Sequence, residues 1–144
     1  MQHMKIINNH LLDNLSHQAK ENERLRQNYN LHAHLADPVQ RLLNALEPGT
    51  TLPVHRHLHS DETFILMRGS VHVLLYDDQK CLLKSLVLSV ESGNFGLSIP
   101  AGQWHTIDVL ESGTVLFEIK QGPYTPLESK DILHMDAVET WNGR

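Results

Sequence analysis

The 144-residue chain has few cysteines, few basic residues and no long apolar run, and each scarcity excludes a class of protein. Its single cysteine, Cys81, cannot form an internal disulfide, so a disulfide scaffold and a thiolate zinc cluster are excluded. Its 12 basic residues are outnumbered by 17 acidic ones, which argues against nonspecific nucleic-acid binding. No apolar run reaches the about 18 residues of a membrane span, and none near the start forms a signal-peptide core. We therefore expect a cytoplasmic protein with neither nucleic acid nor membrane as a partner.

Histidine is the residue type that the chain has in excess. There are 11 histidines, whereas aromatic residues make up only 6% of the chain. Several of the histidines fall between positions 55 and 59. Such clustering points to a site rather than to a bias in composition.

The N-terminal part predicts a helix followed by an extended arm. Leucine and alanine recur at three- and four-residue spacing from Asn9 to Ala19, which is typical of an amphipathic helix, and Asn8 or Asn9 can cap its start. The residues that follow have no clean period. We expect residues 1–36 to form this helix and an extended segment that crosses the body.

The central part predicts an antiparallel barrel. After Gly49, short apolar runs end at turn residues about every ten positions, and no long helical period interrupts them. Residues 39–47 fit either a helix or a strand, and this setting favours a first barrel strand. The predicted fold class is therefore all-β, with the barrel in residues 37–122 and a tail, residues 123–144, that packs along the outside.

Two motifs carry the candidate chemistry. In the first, Gly49 is followed by His55, His57, Glu62 and Gly69 at intervals of six, two, five and seven positions. The second is Pro-x-Gly-x-x-His, in residues 100–105. Residues two apart on a strand share a face, so the histidines of the first motif project together into the barrel.

Three imidazoles and one carboxylate suit a borderline divalent metal: iron, manganese, nickel, copper or zinc. The predicted metal ligands are His55, His57, Glu62 and His105. His59 offers an alternative to His55 if the strand ends early, because His57 and His59 also form a His-x-His pair. The spacing to Gly49 and to Glu62 favours His55 and leaves His59 at the rim.

These motifs resemble those of the cupin superfamily, of the RmlC-like jelly-roll type, and more closely the WbuC family of cupin-fold metalloproteins. The closer resemblance runs from about Lys5 to Ile132 and includes LRQNYNLH, DPVQRLLNALEPGT, VHRH, VHVLLYDD, IPAGQWHTI and FEIKQGPYTP. It implies a double-stranded β-helix (jelly-roll) barrel with an N-terminal helical arm, one bound metal ion and a homodimer. Members of that family are small bacterial proteins often encoded beside O-antigen biosynthesis genes.

Other polar residues are weaker candidates, each with a structural alternative. Arg24, Asn28 and His32 can fold over the barrel mouth and bind an anionic or sugar ligand, or simply tether the arm. Gln40 and Asn44 share a strand face, so they can line the cavity or face solvent. Tyr124 can close the pocket, although packing of the tail explains it as well.

Three functions remain open from the sequence. The first is a metal-dependent enzyme that acts on a small molecule, such as a sugar or nucleotide-sugar intermediate of surface polysaccharide (O-antigen) biosynthesis. The second is a noncatalytic saccharide-binding module. The third is a metal-free, epimerase-like cupin with His105 or His55 as the base.

Overall fold

The computed structural model describes residues 3–135. Within this range the chain forms one α-helix, ten strands and one 3-10 turn at Ser129–Asp131. The elements are α1 (Asn9–Glu21), β1 (Arg26–Asn30), β2 (Val39–Leu46), β3 (Val54–His55), β4 (Glu62–Arg68), β5 (Val71–Tyr76), β6 (Leu82–Leu88), β7 (Gly96–Ile99), β8 (Trp104–Val109), β9 (Thr114–Gln121) and β10 (Ile132–Leu133).

The predicted N-terminal helix is confirmed. The Asn8 side chain accepts a hydrogen bond from the Leu11 amide at 3.0 Å, which satisfies one of the donors left free at a helix start. Leu12, Leu15 and Ala19 form its buried face and pack against sheet residues of β2 and β9. The helix therefore covers the outside of one sheet.

Two five-stranded antiparallel sheets form the jelly-roll barrel that the turn spacing predicts. Their strand orders are β1-β2-β9-β4-β7 and β10-β3-β8-β5-β6. Residues 39–46 form a strand, as expected. This strand is not the first of its sheet, because all five residues of β1 in the arm pair with residues 42–46 of β2. The arm thus contributes the edge strand of the first sheet.

The interior of the barrel changes from polar to apolar along each central strand. On β9 the inward row runs from Lys120 and Glu118 to Leu116, and on β8 it runs from His105 to Val109. We call the first part the polar half, whose members are Asn44, His55, His57, Glu62, His105, Glu118 and Lys120. The apolar half consists of the buried residues Leu46, Phe64, Val71, Val73, Leu88, Ile99, Ile107, Val109 and Leu116.

The strand that carries the first histidine is shorter than the sequence predicts. β3 contains only Val54 and His55, so His57 lies beyond the strand and the parity argument does not extend to it. The Arg56 backbone N–H still donates to the Asp131 carbonyl at 3.1 Å, which continues the β3–β10 register one residue beyond the strand. A strand this short could not be recognised from LPVHRH alone, since its partners β8 and β10 lie far along the chain.

The outer face of the second sheet is covered by the part of the tail that the structure describes. β10 pairs with β3, and Leu133 and Met135 pack on a cluster that contains Trp104 on the face opposite His105. Residues 136–144 of the predicted tail lie outside the described residues. Across residues 3–135, α1 is too short and too polar to span a bilayer.

Candidate metal centre

The structure brings the four predicted ligands together. His55, His57, Glu62 and His105 each offer one donor atom, and these atoms all lie within 4.8 Å of one another. They come from both sheets: His55 and His105 are direct partners across β3 and β8, while Glu62 begins β4 of the opposite sheet. Four donors from distant parts of the chain therefore converge inside the barrel.

Hydrogen bonds from two backbone amides hold the two motifs against each other. The Gly102 N–H donates to the His57 carbonyl at 2.8 Å, and the Ala101 N–H donates to Asp61 Oδ1 at 2.9 Å. Gly102 has a φ of 85°, a left-handed conformation that residues with a Cβ adopt at a cost. The turn before His105 and the loop before Glu62 thus form one assembly.

Steric constraints explain why the last residue of the first motif is glycine. Gly69 has a φ of 81°, and a Cβ there would come within 2.7 Å of the Thr114 Cα. No side chain fits beside that backbone without a shift of the chain. Glycine at this position lets β4 and β5 turn tightly next to β9.

The hydrogen bonds of two histidines orient their other nitrogen toward the cluster. His55 Nδ1 lies 2.9 Å from the Pro53 carbonyl, and His105 Nδ1 lies 2.9 Å from the Gln103 carbonyl. Because a carbonyl only accepts, each Nδ1 carries the hydrogen, and a neutral ring then presents the lone pair of Nε2. Metal-binding histidines typically have this arrangement.

The contacts of Glu62 show that a cation fits between these groups. Its Oε1 lies 3.1 Å from His105 Nε2 and 3.4 Å from His57 Nε2. Since the Nδ1 of His105 already carries a hydrogen, its Nε2 lone pair would face an oxygen unless a proton or a metal ion lies near both. The donor set is therefore suited to one divalent transition metal.

Electrostatics favour the ligand forms of two of these side chains. Burial, together with the neighbouring His105, lowers the pKa of His55 to about 4, so this ring is neutral near pH 7. Burial alone would raise the pKa of Glu62, but His105 and His57, which donate to its carboxylate when a proton occupies Nε2, lower it well below its ordinary value. A neutral imidazole and an ionised carboxylate are the forms that bind metals.

His59 lies apart from this cluster. The metal-ligating group found among residues 3–135 contains His55 and not His59, although β3 does end early. His59 is exposed and lines the cavity at the mouth of the barrel. The structure thus brings together the donor set that the Gly49 and Glu62 spacing favoured.

A cavity of about 560 Å³ opens at the barrel mouth beside His57. Its charged lining residues comprise three cations, Arg56, Lys120 and Lys130, and two acids, Glu128 and Asp131. Arg56 pairs with Asp131 at 3.2 Å, and Lys130 pairs with Glu128 at 3.3 Å. This volume is in the range of small-molecule sites.

The sequence interpretation missed Glu118. It lies on the inward face of β9, directly across from Leu42 of β2 and Phe64 of β4. Burial and the negative charge of Glu62 raise the pKa of Glu118 to about 7, although a hydrogen bond from Asn44 at 2.9 Å opposes the shift. The available signal was a charged residue two positions from Leu116 in TVLFEIK, on the face that the barrel buries.

The weaker candidates divide between the arm and the cavity. His32 is bound to the Arg41 backbone, and Gln40 donates to the Leu35 and Asp37 carbonyls, so both tether the arm. Arg24 and Asn28 are exposed outside the cavity linings. Tyr124 lines the mouth cavity and is 47% exposed, which agrees with the pocket alternative rather than with the favoured role in packing of the tail.

The sequence matches one family model. Residues 7–88 match a family described as a domain of unknown function, DUF6016. No curated protein matches the chain.

Several solved structures resemble this one. KdgF from Halomonas sp. has 15% identity and a TM-score of 0.54, and the match covers 69% of this chain and 80% of that chain. A cupin superfamily protein from Desulfitobacterium hafniense has 17% identity, a TM-score of 0.51 and coverages of 67% and 76%. TT1209 from Thermus thermophilus has 22% identity, a TM-score of 0.57 and coverages of 82% and 97%. The fold is therefore that of a cupin, as the motifs implied.

Proposed function

This chain belongs to the DUF6016 family, and we propose that it is a metal-binding cupin that takes a small molecule into its barrel. One divalent transition metal ion would be held by His55, His57, Glu62 and His105. The observation that carries this proposal is the convergence of their donor atoms within 4.8 Å, with two Nδ1 atoms already committed to carbonyls. The histidines would supply neutral Nε2 ligands, and Glu62 would supply one negative charge.

The proposed activity is that of a metal-dependent enzyme. When bound, such an ion supplies a Lewis acid, or a redox centre if it is iron. The chain itself contributes the mouth cavity beside His57 and, deeper in the barrel, a second carboxyl group, Glu118. These residues can orient a substrate and restrict its contact with water.

For the substrate we propose a small sugar or nucleotide-sugar intermediate linked to surface polysaccharide, or O-antigen, biosynthesis. The support is the resemblance of the motifs to the WbuC family and the volume of the mouth cavity, about 560 Å³. We also propose that the protein works in the cytoplasm as a homodimer, as that resemblance implies. The same cavity is compatible with a noncatalytic saccharide-binding module.

A metal-free, epimerase-like function is the second candidate. The contact between Glu62 and His105 Nε2 at 3.1 Å favours it, because a carboxylate beside an imidazole forms an acid–base pair. In that case a proton on Nε2, rather than a metal ion, would satisfy the carboxylate. The two candidates differ in whether metal copurifies with the protein.

Metal content separates these candidates. We expect plasma mass spectrometry to find about one metal ion per untagged wild-type chain and almost none in His57→Ala, because the variant loses a ligand. His59→Ala is the matched control: it removes an imidazole from the same loop outside the cluster, and it should keep the metal. Absence of metal from the wild type after both aerobic and anaerobic purification would refute the metal-dependent proposal and favour the metal-free one.

A further inference from the structure

Lys120 is the cation of the mouth cavity for which residues 3–135 provide no ion-pair partner. The other two cations in the lining, Arg56 and Lys130, are paired with Asp131 and Glu128. Among the residues described by the structure, Lys120 makes no ion pair within 4 Å, and it is partly shielded from solvent. Its charge interacts with the Glu118 carboxyl group at longer range without forming an ion pair, so this partly buried ammonium group can still donate to an anionic ligand.

Its place in the fold directs this charge toward the metal centre. Lys120 lies directly across from Glu62 in the ladder between β9 and β4, on the inward face of the barrel. Glu118 lies two residues deeper on the same face, a distance of roughly 7 Å along the strand. Lys120 and His57 both line the mouth cavity, so a ligand that contacts Lys120 lies beside one of the metal-binding histidines, with Glu118 deeper on the same strand face.

Asn44 and Glu118 offer complementary hydrogen-bonding groups at this depth. Asn44 donates to Glu118 Oε2 at 2.9 Å, while its Oδ1 is buried and has no partner among the described residues. A buried oxygen without a donor costs free energy, and a ligand hydroxyl would remove that cost. The Glu118 carboxyl group, which accepts from Asn44 through Oε2, is a further hydrogen-bonding group for a ligand hydroxyl at this depth.

Charge determines which end of the ligand enters first. Glu62 and Glu118 disfavour an anion in the depth of the barrel, whereas Lys120 favours one at the mouth. We propose that Lys120 binds the anionic substituent, a carboxylate or a phosphate, of a sugar-like ligand whose hydroxyls reach Asn44 and Glu118. This inference rests on the proposed function, in which a small molecule enters the barrel beside the metal.

The test compares three sugars that differ in one substituent: D-glucose, D-glucuronate and D-glucose 6-phosphate. Each is titrated calorimetrically into the metal-loaded full chain at millimolar concentrations. We expect at least one anion to bind about tenfold more tightly than glucose, because a charge-assisted hydrogen bond contributes that much. The better anion tells whether the substituent is a carboxylate or a phosphate.

Two lysine variants provide the matched comparison. Lys120→Gln should remove the preference for the anions, so that the three sugars bind with similar affinity. Lys130→Gln removes the same charge from the same cavity, but from a lysine already paired with Glu128, and it should keep the preference. Equal effects of the two variants would overturn the assignment to Lys120.

The deeper contacts are tested by Glu118→Leu and Asn44→Ala. Each should weaken all three sugars by about tenfold without changing their ratio, since both lose hydroxyl contacts. Unchanged affinity in both variants would remove this pair from the site. Asn44→Ala keeps the test valid if Glu118→Leu does not fold.

Metal content is measured in every sample, so that a failure of the proposed function can be distinguished from a failure of this inference. A wild-type chain that holds no metal refutes the proposed function. A chain that holds metal but binds glucose and the two anions equally, or binds none of them, refutes only this inference.

Discussion

Leu116 and Glu118 lie two residues apart on the same face of β9, yet they belong to different halves of the barrel interior. Leu116 is fully buried within the apolar half, among Leu46, Phe64 and other aliphatic residues. Glu118 faces the polar half and retains some solvent contact. The same strand thus contributes packing at one end and costly polar burial at the other.

This contrast shows where the fold gains stability and where it loses some of it. The apolar half removes hydrocarbon from water, which is the main favourable term in folding. The polar half contains three imidazoles and two carboxyl groups, whose burial is unfavourable unless a proton, a metal ion or a ligand compensates them. Residues that lower stability without a structural need are the ones to test for function.

The largest effect on stability is expected in the apolar half. Leu116→Ala should lower the free energy of unfolding by about 2–5 kcal/mol, because it leaves a cavity in a fully buried cluster. Urea unfolding measures this change. The control Leu83→Ala removes the same atoms from a side chain that is 60% exposed on β6, and it should cost far less. Equal losses for the two variants would contradict the division of the interior.

The second effect is a pH dependence that arises in the polar half. Folding raises the pKa of Glu118 from about 4.5 to about 7, so the folded chain holds this proton more tightly than the unfolded chain. The stability linked to that proton is complete below about pH 4.5 and is lost as the pH rises to about 7. In metal-free protein, where the charge of Glu62 is not compensated, Glu118→Gln cannot ionise and should therefore gain about 2 kcal/mol on the wild type between these pH values, allowing for solvent contact.

Urea midpoints of the two proteins at the ends of this pH range give that difference. Glu47→Gln is the comparison for a buried carboxyl group elsewhere, since Glu47 accepts hydrogen bonds from Ser112 and the Gly113 amide. A constant difference between Glu118→Gln and the wild type across the range would mean that the Glu118 pKa is not raised.

The smallest effect concerns a contact that joins the two motifs. Asp61→Ala removes the acceptor of the Ala101 N–H, in the turn that leads to His105. We expect metal affinity to fall about tenfold, as is usual when a group that orients a ligand is lost, with little change in the unfolding midpoint. Competition with a chelator measures the affinity.

The control for this change is Asp77→Ala. Asp77 also accepts hydrogen bonds from backbone amides, those of Gln79 and Cys81, but it does so in the turn after β5. Equal metal affinity of the Asp61 and Asp77 variants would show that the bridge between the motifs does not orient His105.

Much of this architecture could be predicted from local patterns. Leucine and alanine spacing marked α1, and turn residues at regular intervals marked an antiparallel barrel rather than a parallel sheet. The strand at residues 39–46 was ambiguous by pattern, because Leu43 packs under α1 while Leu46 enters the barrel. Only the series of strands predicted after Gly49 favoured a strand over a helix at these residues.

What could not be predicted depends on contacts between distant segments. β10 is two residues long and exists because Ile132 pairs with His55 across more than half of the chain. In the sequence Glu118 looks like an ordinary strand residue, because the groups that shift its pKa and bind its carboxyl group, Glu62 and Asn44, lie on other strands. Motif spacing marks donors that are close in sequence, but it carries no information on which remote carboxyl group will face them.

The pairing of β3 with β10 has a consequence for the order of events during synthesis. His55 is made before β4 to β9, whereas its partner strand β10 and Asp131, which holds the neighbouring Arg56, are made after them. A nascent chain that already contains all four donors still lacks the segment that fixes the first of them. We therefore expect stable metal loading to follow synthesis of β10 rather than to guide the folding of the earlier strands.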